Sequence, residues 1–156
     1  MRNIQNAIRN SDLEAVKLIL QNDPSSASRP GERGFPPIIF AAYSEDQAIC
    51  ELLIEAGADV NAQDIAGNTA LMGVCFKGFN DIVQFLIEKG ADVNLKNKAG
   101  GTALSFAATF NQNTVAKTLL ANGAETNTKD QNGQTPLELA QKQGNIELIA
   151  LLQASH

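Results

Sequence analysis

The stretch Asp64–Lys96, DIAGNTALMGVCFKGFNDIVQFLIEKGADVNLK, decides the fold, because most of the chain is this stretch over again. A step of 33 residues carries Gly67 onto Gly34, Gly100 and Gly133, and Gly90 onto Gly57 and Gly123. The same step carries Asn94 onto Asn61 and Asn127, and Leu86 onto Leu53, Leu119 and Leu152. A fixed period of this size marks a solenoid, in which each unit buries its apolar face only by stacking on its neighbours.

Within the unit, Asp64-Ile65-Ala66-Gly67 is turn chemistry, Gly supplying the positive φ that a tight turn needs. Thr69 then stands before Ala70-Leu71, and the last unit has Thr135-Pro136-Leu137 at the same place. A hydroxyl before Pro starts a helix: its oxygen takes a free N–H, and Pro has none to leave unpaired. Leu71 and Val74 recur as Ile38/Ala41, Leu104/Ala107 and Leu137/Ala140, an i, i+3 apolar stripe on a short first helix that Gly78 ends. A second helix carries Ile82, Val83, Phe85, Leu86 and Ile87, and Gly90 closes it as a left-handed cap.

The run Gly67-x-Thr69-Ala70-Leu71, then Gly78, then Ile82-Val83-x-x-Leu86-Ile87-x-x-Gly90-Ala91-Asp92-Val93-Asn94 resembles the ankyrin repeat. The resemblance covers nearly the whole chain. It implies an all-α solenoid of stacked helix–turn–helix units with β-turn fingers, a binding surface for other macromolecules rather than an enzyme. Two departures stand out. The His that often follows the Leu in this family is replaced by Ile39, Met72, Ser105 and Glu138, and Pro36 stands where other units have Thr69, Thr102 and Thr135. These changes bear on local hydrogen bonds, not on the fold.

The expected organisation is one domain over residues 1–156, in units of about 3–34, 35–63, 64–96, 97–129 and 130–156. The first unit keeps a core in Ile4, Ala7, Val16, Ile19 and Leu20, one residue out of register, and turns Arg2, Asn6, Arg9, Asn10 and Lys17 outward as a polar cap. Ser25–Gly34 holds the extra residue and reads as a longer, more mobile finger. Asn111 takes the place of the inter-helix Gly in the fourth unit, and the fifth unit serves as the C-terminal cap, with Gln141 and Lys142 where neighbours are small or apolar.

Composition narrows the function. The chain has 156 residues, 44% of them hydrophobic, enough for one continuous core. No apolar run reaches the roughly 18 residues of a membrane span, and Met1-Arg2-Asn3 leads straight into the first unit with no signal peptide. The expected compartment is the cytoplasm, or the periplasm or exterior where a leader has been removed. A net charge of −5 argues against a general nucleic-acid binder. The single His is His156, at the terminus, so no Ser-His-Asp set and no His-based metal site can form, and no phosphate-binding loop is present. No cofactor is expected. Cys50 and Cys75 stand in registers filled elsewhere by apolar or small residues and read as reduced core thiols.

The expected partner is another protein, bound by a monomeric chain. Between Arg33 and Lys77 there is no Lys or Arg, while Glu45, Asp46, Glu51, Glu55, Asp59 and Asp64 all fall there, either a solvated outer face or a dock for a basic partner. Lys96, Lys98 and Lys129 at the fingers, with Lys77 and Lys142 near first-helix ends, serve solubility or draw an acidic partner. Through the resemblance, binding falls to the finger tips and the exposed face of the first helices. The candidate residues there are Phe35, Tyr43, Ile65, Phe76, Lys77 and Phe110, an apolar path that either packs on neighbouring fingers or forms a groove. Two alternatives are a modified substrate, since the stretches around Asn61 and Asn94 resemble those that asparagine hydroxylases act on, and an enzyme working through its carboxylates.

Overall fold

The computed structural model describes residues 3–155; Met1, Arg2 and His156, the last two of which carried expectations above, lie outside the described residues. Ten α-helices alternate as first and second members of five pairs, and no strand occurs among the described residues. The first helices are α1 (Ile4–Arg9), α3 (Pro37–Tyr43), α5 (Ala70–Lys77), α7 (Ala103–Thr109) and α9 (Pro136–Lys142). The second helices are α2 (Leu13–Asn22), α4 (Gln47–Glu55), α6 (Asn80–Glu88), α8 (Asn113–Ala121) and α10 (Ile146–Ala154). A 3-10 turn over Pro24–Ala27 opens the longer connection after α2, with Ser26 and Ala27 buried and Asp23 accepting from Ser25 N–H.

Local chemistry sets each boundary. Thr69, Thr102 and Thr135 cap α5, α7 and α9, each accepting a backbone N–H of the first turn. Where the family's His is missing, two replacements complete capping boxes: Ser105 Oγ accepts from Thr102 N–H at 2.7 Å, and Glu138 Oε2 from Thr135 N–H at 3.1 Å. Helix α3 has no side-chain cap; Pro36 and Pro37 simply remove two N–H groups that would otherwise need one. The turn between the two helices of every pair places one residue in the left-handed region: Ser11, Glu45, Gly78, Asn111 and Gly144. Asn111 was legible in that role, whereas Ser11 and Glu45 take the strained conformation with a full side chain.

Stacking buries what the stripe predicted. Ile38, Ala41, Leu71, Val74, Leu104, Ala107 and Ala140 are buried along the first helices, and Leu53, Leu86, Leu119 and Leu152 are fully buried along the second. Leu137 and Ile87 are half-buried and pack against this core. The first helices form an unbroken row, α1 on α3, α3 on α5, α5 on α7, α7 on α9, while the second helices touch one another less. The row of first helices is therefore the tighter, inner side of the stack.

The fingers project beside that inner row. Each closes with a β-turn hydrogen bond onto its first residue, Gly67 N–H to Asp64 O at 2.9 Å and likewise for Gly34, Gly100 and Gly133. In three fingers the turn's first side chain accepts two further N–H groups: Asp64 from Ala66 and Asn68, Asn97 from Ala99 and Gly101, Asp130 from Asn132 and Gln134. Successive fingers are tied by Lys98 N–H to Ala66 O and Gln131 N–H to Ala99 O.

Candidate functional site

A hollow of about 550 Å³ opens on the inner side, between the fingers and the first helices of the second to fourth pairs. Its origin is a single register position. Phe40, Gly73, Phe106 and Leu139 are equivalent residues of α3, α5, α7 and α9, and the glycine leaves a gap between two aromatic neighbours. A helix-interior Gly costs about 1 kcal/mol against Ala, so the gap is not the cheapest way to build α5. Tyr43 leans into it from the preceding unit: a Cβ on Gly73 would come within 3.2 Å of its Cδ2. Ile39 and Met72, which replace the family's His in these two units, are buried and line the hollow with apolar surface. Phe35, Phe76 and Phe106 complete the aromatic walls, and Asp64, Ala66, Asn68 and Thr69 supply the finger side.

The polar groups at this rim are held in place. Asp64 Oδ1 takes two finger N–H groups at 2.9 Å each, Asn68 Oδ1 accepts from Asn97 Nδ2 at 2.9 Å, and Thr69 caps α5. A mostly apolar concavity with a few fixed polar groups has the character of a ligand site, since such groups need no further ordering.

The bases of the fingers show a second repeated device. Asn61 Oδ1 accepts from Asp92 N–H at 2.8 Å and its Nδ2 donates to Gly90 O at 3.3 Å. One unit on, Asn94 accepts from Glu125 N–H at 2.8 Å and donates to Gly123 O at 3.0 Å. Each amide bridges one unit to the next. These asparagines peg the stack.

Pegged helix pairs, β-turn fingers and a left-handed glycine after the second helix repeat along the chain, and a family model described as ankyrin repeats (3 copies) matches residues 4–64, 38–130 and 71–156. The chain belongs to the ankyrin-repeat family. It is 38% identical over 79 residues to the E3 ubiquitin-protein ligase XBAT33 of Arabidopsis thaliana, a match that covers 50% of this chain and 15% of that protein. It is 34% identical over 82 residues to the ankyrin repeat and SAM domain-containing protein 6 of Rattus norvegicus, covering 52% of this chain and 9% of that protein. The ankyrin chain thus matches only a small part of the length of these relatives.

The candidate residues divide on this ankyrin surface. Phe35, Tyr43 and Phe76 line the hollow together. Phe110 lies just beyond, edge-on to Phe76 with ring centroids 4.5 Å apart, and borders a smaller hollow of about 210 Å³ that shares Phe106. Lys77 is outside the hollow, its Nζ 4.8 Å from the centre of the Tyr43 ring, a cation–π contact. Ile65 is not brought in either: it sits 68% exposed on a finger tip, its side chain against Gly34 of the preceding finger. Ring packing is therefore mixed, with Tyr43 44% exposed and Phe76 half-buried. Sequence reasoning missed Phe40, Phe106, Met72 and Gly73, although applying the 33-residue step to Phe40 would have led to Gly73 and Phe106.

Other features are settled by their surroundings. Of the acids in the second unit, Asp46 caps α4, Asp59 accepts from Asn61 N–H, Asp64 closes its finger and Glu51 pairs with Lys89 at 3.2 Å. Cys50 and Cys75 are free and fully buried. Burial pushes the Cys50 thiol up to about 12, with nearby Asp46 adding to it, and burial pushes Cys75 up as well. No helix among the described residues is long and apolar enough to cross a membrane.

Proposed function

We propose that this chain is a non-enzymatic protein-binding module whose five units act as one ankyrin domain and whose binding centre is the hollow above Gly73. Ankyrin repeats indicate protein–protein interaction, and the observation that supports this centre is the glycine itself. At the register where two neighbours carry Phe40 and Phe106, the glycine leaves an apolar recess faced by Tyr43, within a hollow of about 550 Å³. Four of the relatives are ubiquitin ligases by name, two of them named as probable ones. The shared segment is a small fraction of them, so the reading taken here is partner binding, as adaptor or inhibitor, and not ligase activity. Asn61 and Asn94 are read as inter-unit pegs rather than modification sites, because an enzyme acting on either side chain would first have to release it from two hydrogen bonds.

The test compares Tyr43→Ser/Phe76→Ser with Ile146→Ser, which alters an exposed apolar residue far from the hollow. The ring variant should lose the proteins that the wild type retains from an extract of the source cells, while Ile146→Ser keeps them. Because Phe76 stacks on Phe110, the ring variant should also lose about 1–2 kcal/mol of stability, a drop of a few degrees in melting temperature. Unchanged retention would move the binding surface elsewhere, and a much larger stability loss would show that these rings are core.

A further inference from the structure

We propose that the partner presents an extended, acidic–apolar segment: a large apolar side chain seated over Gly73 and carboxylate groups on Arg9 and Arg33. This rests on the protein-binding reading above and adds the chemistry of the occupant. A second hollow of about 450 Å³ adjoins the first on the side of the first unit, and the two share Phe35 and Phe40 as a common wall. The character changes across that wall. The second hollow is lined by polar side chains, among them Arg9, Arg33 and Gln5, with Glu32 as its one acid.

The two guanidinium groups are available. Arg9 and Arg33 are exposed and, like Lys77, Lys96, Lys98, Lys129 and Lys142, form no ion pair among the described residues, whereas Lys17, Arg29, Lys89 and Lys117 are each paired with a carboxylate; of the unpaired cations only these two arginines line the second hollow. Lys77, beside Tyr43, adds a third cation along the same inner side. Against them stands Asp64, whose Oδ1 is engaged by two finger N–H groups. A chain of net charge −5 thus places two unpaired arginines in the hollow beside the apolar one, against a single lining acid there, Glu32. Arg is suited to this role because its planar fork meets a carboxylate through two parallel N–H bonds.

Geometry gives the spacing. Arg33 stands on the finger one unit before Gly73 and Arg9 on the first helix two units before it, and neighbouring packed helices lie roughly 8–10 Å apart. An extended chain advances about 3.3 Å per residue, so a carboxylate on Arg33 should lie about three residues from the apolar anchor and one on Arg9 about five to six. Peptide laid along the inner side would meet Arg9 and Arg33, cross Phe35 and Phe40, and drop its anchor between Phe40 and Phe106.

The experiment selects random twelve-residue linear peptides displayed on phage against the whole chain, then measures the enriched peptides by fluorescence anisotropy on wild type and four variants. Arg9→Glu/Arg33→Glu reverses exposed charges, and Arg9→Gln/Arg33→Gln serves as a milder second form. Gly73→Leu fills the space above Gly73 and obliges the Tyr43 ring to shift, since a Cβ there would stand 3.2 Å from its Cδ2. Tyr43→Ser/Phe76→Ser removes the walls. The proposal expects peptides with a large apolar residue and Asp or Glu about three to six positions away, whose affinity falls about tenfold or more with charge reversal and with Gly73→Leu. Peptides that depend on Tyr43 and Phe76 yet ignore the arginines, or that carry Lys or Arg instead, would overturn the acidic–apolar assignment and leave the groove standing. If no peptide is enriched, or none responds to any of these variants, both this assignment and the groove reading fall.

Discussion

Replacing Gly67 by Ala should destabilise the stack more than the same change at Gly90, although both residues are left-handed, with φ of 80° and 97°. The shared part of the loss is conformational: an L-residue in that region costs about 1–2 kcal/mol. The difference lies in what the added methyl meets. At Gly90 nothing lies within 4 Å of the new Cβ, so the conformational term is the whole effect. At Gly67 the Cβ would stand 2.9 Å from Lys98 N and 3.1 Å from Asn97 Cα, both backbone atoms of the next finger that no rotamer change can move. Relief requires the fingers to part, which breaks the Lys98 N–H to Ala66 O bond of 3.0 Å, worth about 1 kcal/mol net. We expect about 1–2 kcal/mol for Gly90→Ala and about 3 kcal/mol for Gly67→Ala. Urea denaturation followed by circular dichroism gives both values, and hydrogen exchange at the Lys98 amide should speed up only in Gly67→Ala. Equal midpoints for the two variants, or a larger loss at Gly90, would refute the claim that backbone approach between fingers sets the requirement for glycine.

Leu86 is fully buried and Glu88 exposed two residues later, so Leu86→Ala should cost about 2–5 kcal/mol and Glu88→Ala less than about 0.5 kcal/mol; similar denaturation midpoints would mean the helical register is wrong. Cys50 and Cys75 should resist thiol reagents in the native state and both react once the chain is unfolded, because burial blocks access and disfavours the thiolate. The same shift has a pH signature: the folded thiols hold their protons above the ordinary 9.0, Cys50 up to about 12, so the unfolded chain deprotonates first. Their contribution is therefore intact below pH 9 and is lost as pH rises from there toward 12, a slope that should flatten in Cys50→Ala/Cys75→Ala.

Much of this molecule is local chemistry repeated at a fixed interval, and that part was legible. Thr69, Thr102 and Thr135 cap helices through bonds to residues three positions on, Gly90 accepts a left-handed backbone, and Leu86 repeats where each second helix turns inward. These are decided within a single unit, and the 33-residue step then states that neighbouring units do the same. Stacking follows because no unit can cover its own apolar face. Of the candidate residues singled out by their positions in the repeat, Phe35, Tyr43 and Phe76 line the hollow, and Ile65 stands away from it on a finger tip.

What the tertiary structure decided lies between units. Gly73 read alone is a weak point in a helix; it becomes the floor of a hollow only when Phe40 and Phe106, 33 residues to either side, stand against it. Asn61 and Asn94 are turn residues by sequence, and only the next unit's N–H and C=O groups make them pegs. Arg9 and Arg33 come from different units and share one wall because the long connection after α2 brings its finger back beside α1. Local propensity determines which residues form each turn and helix, since the bonds involved span a few positions. The hollow depends on side chains from three units meeting at one place, and that juxtaposition exists only in the packed stack.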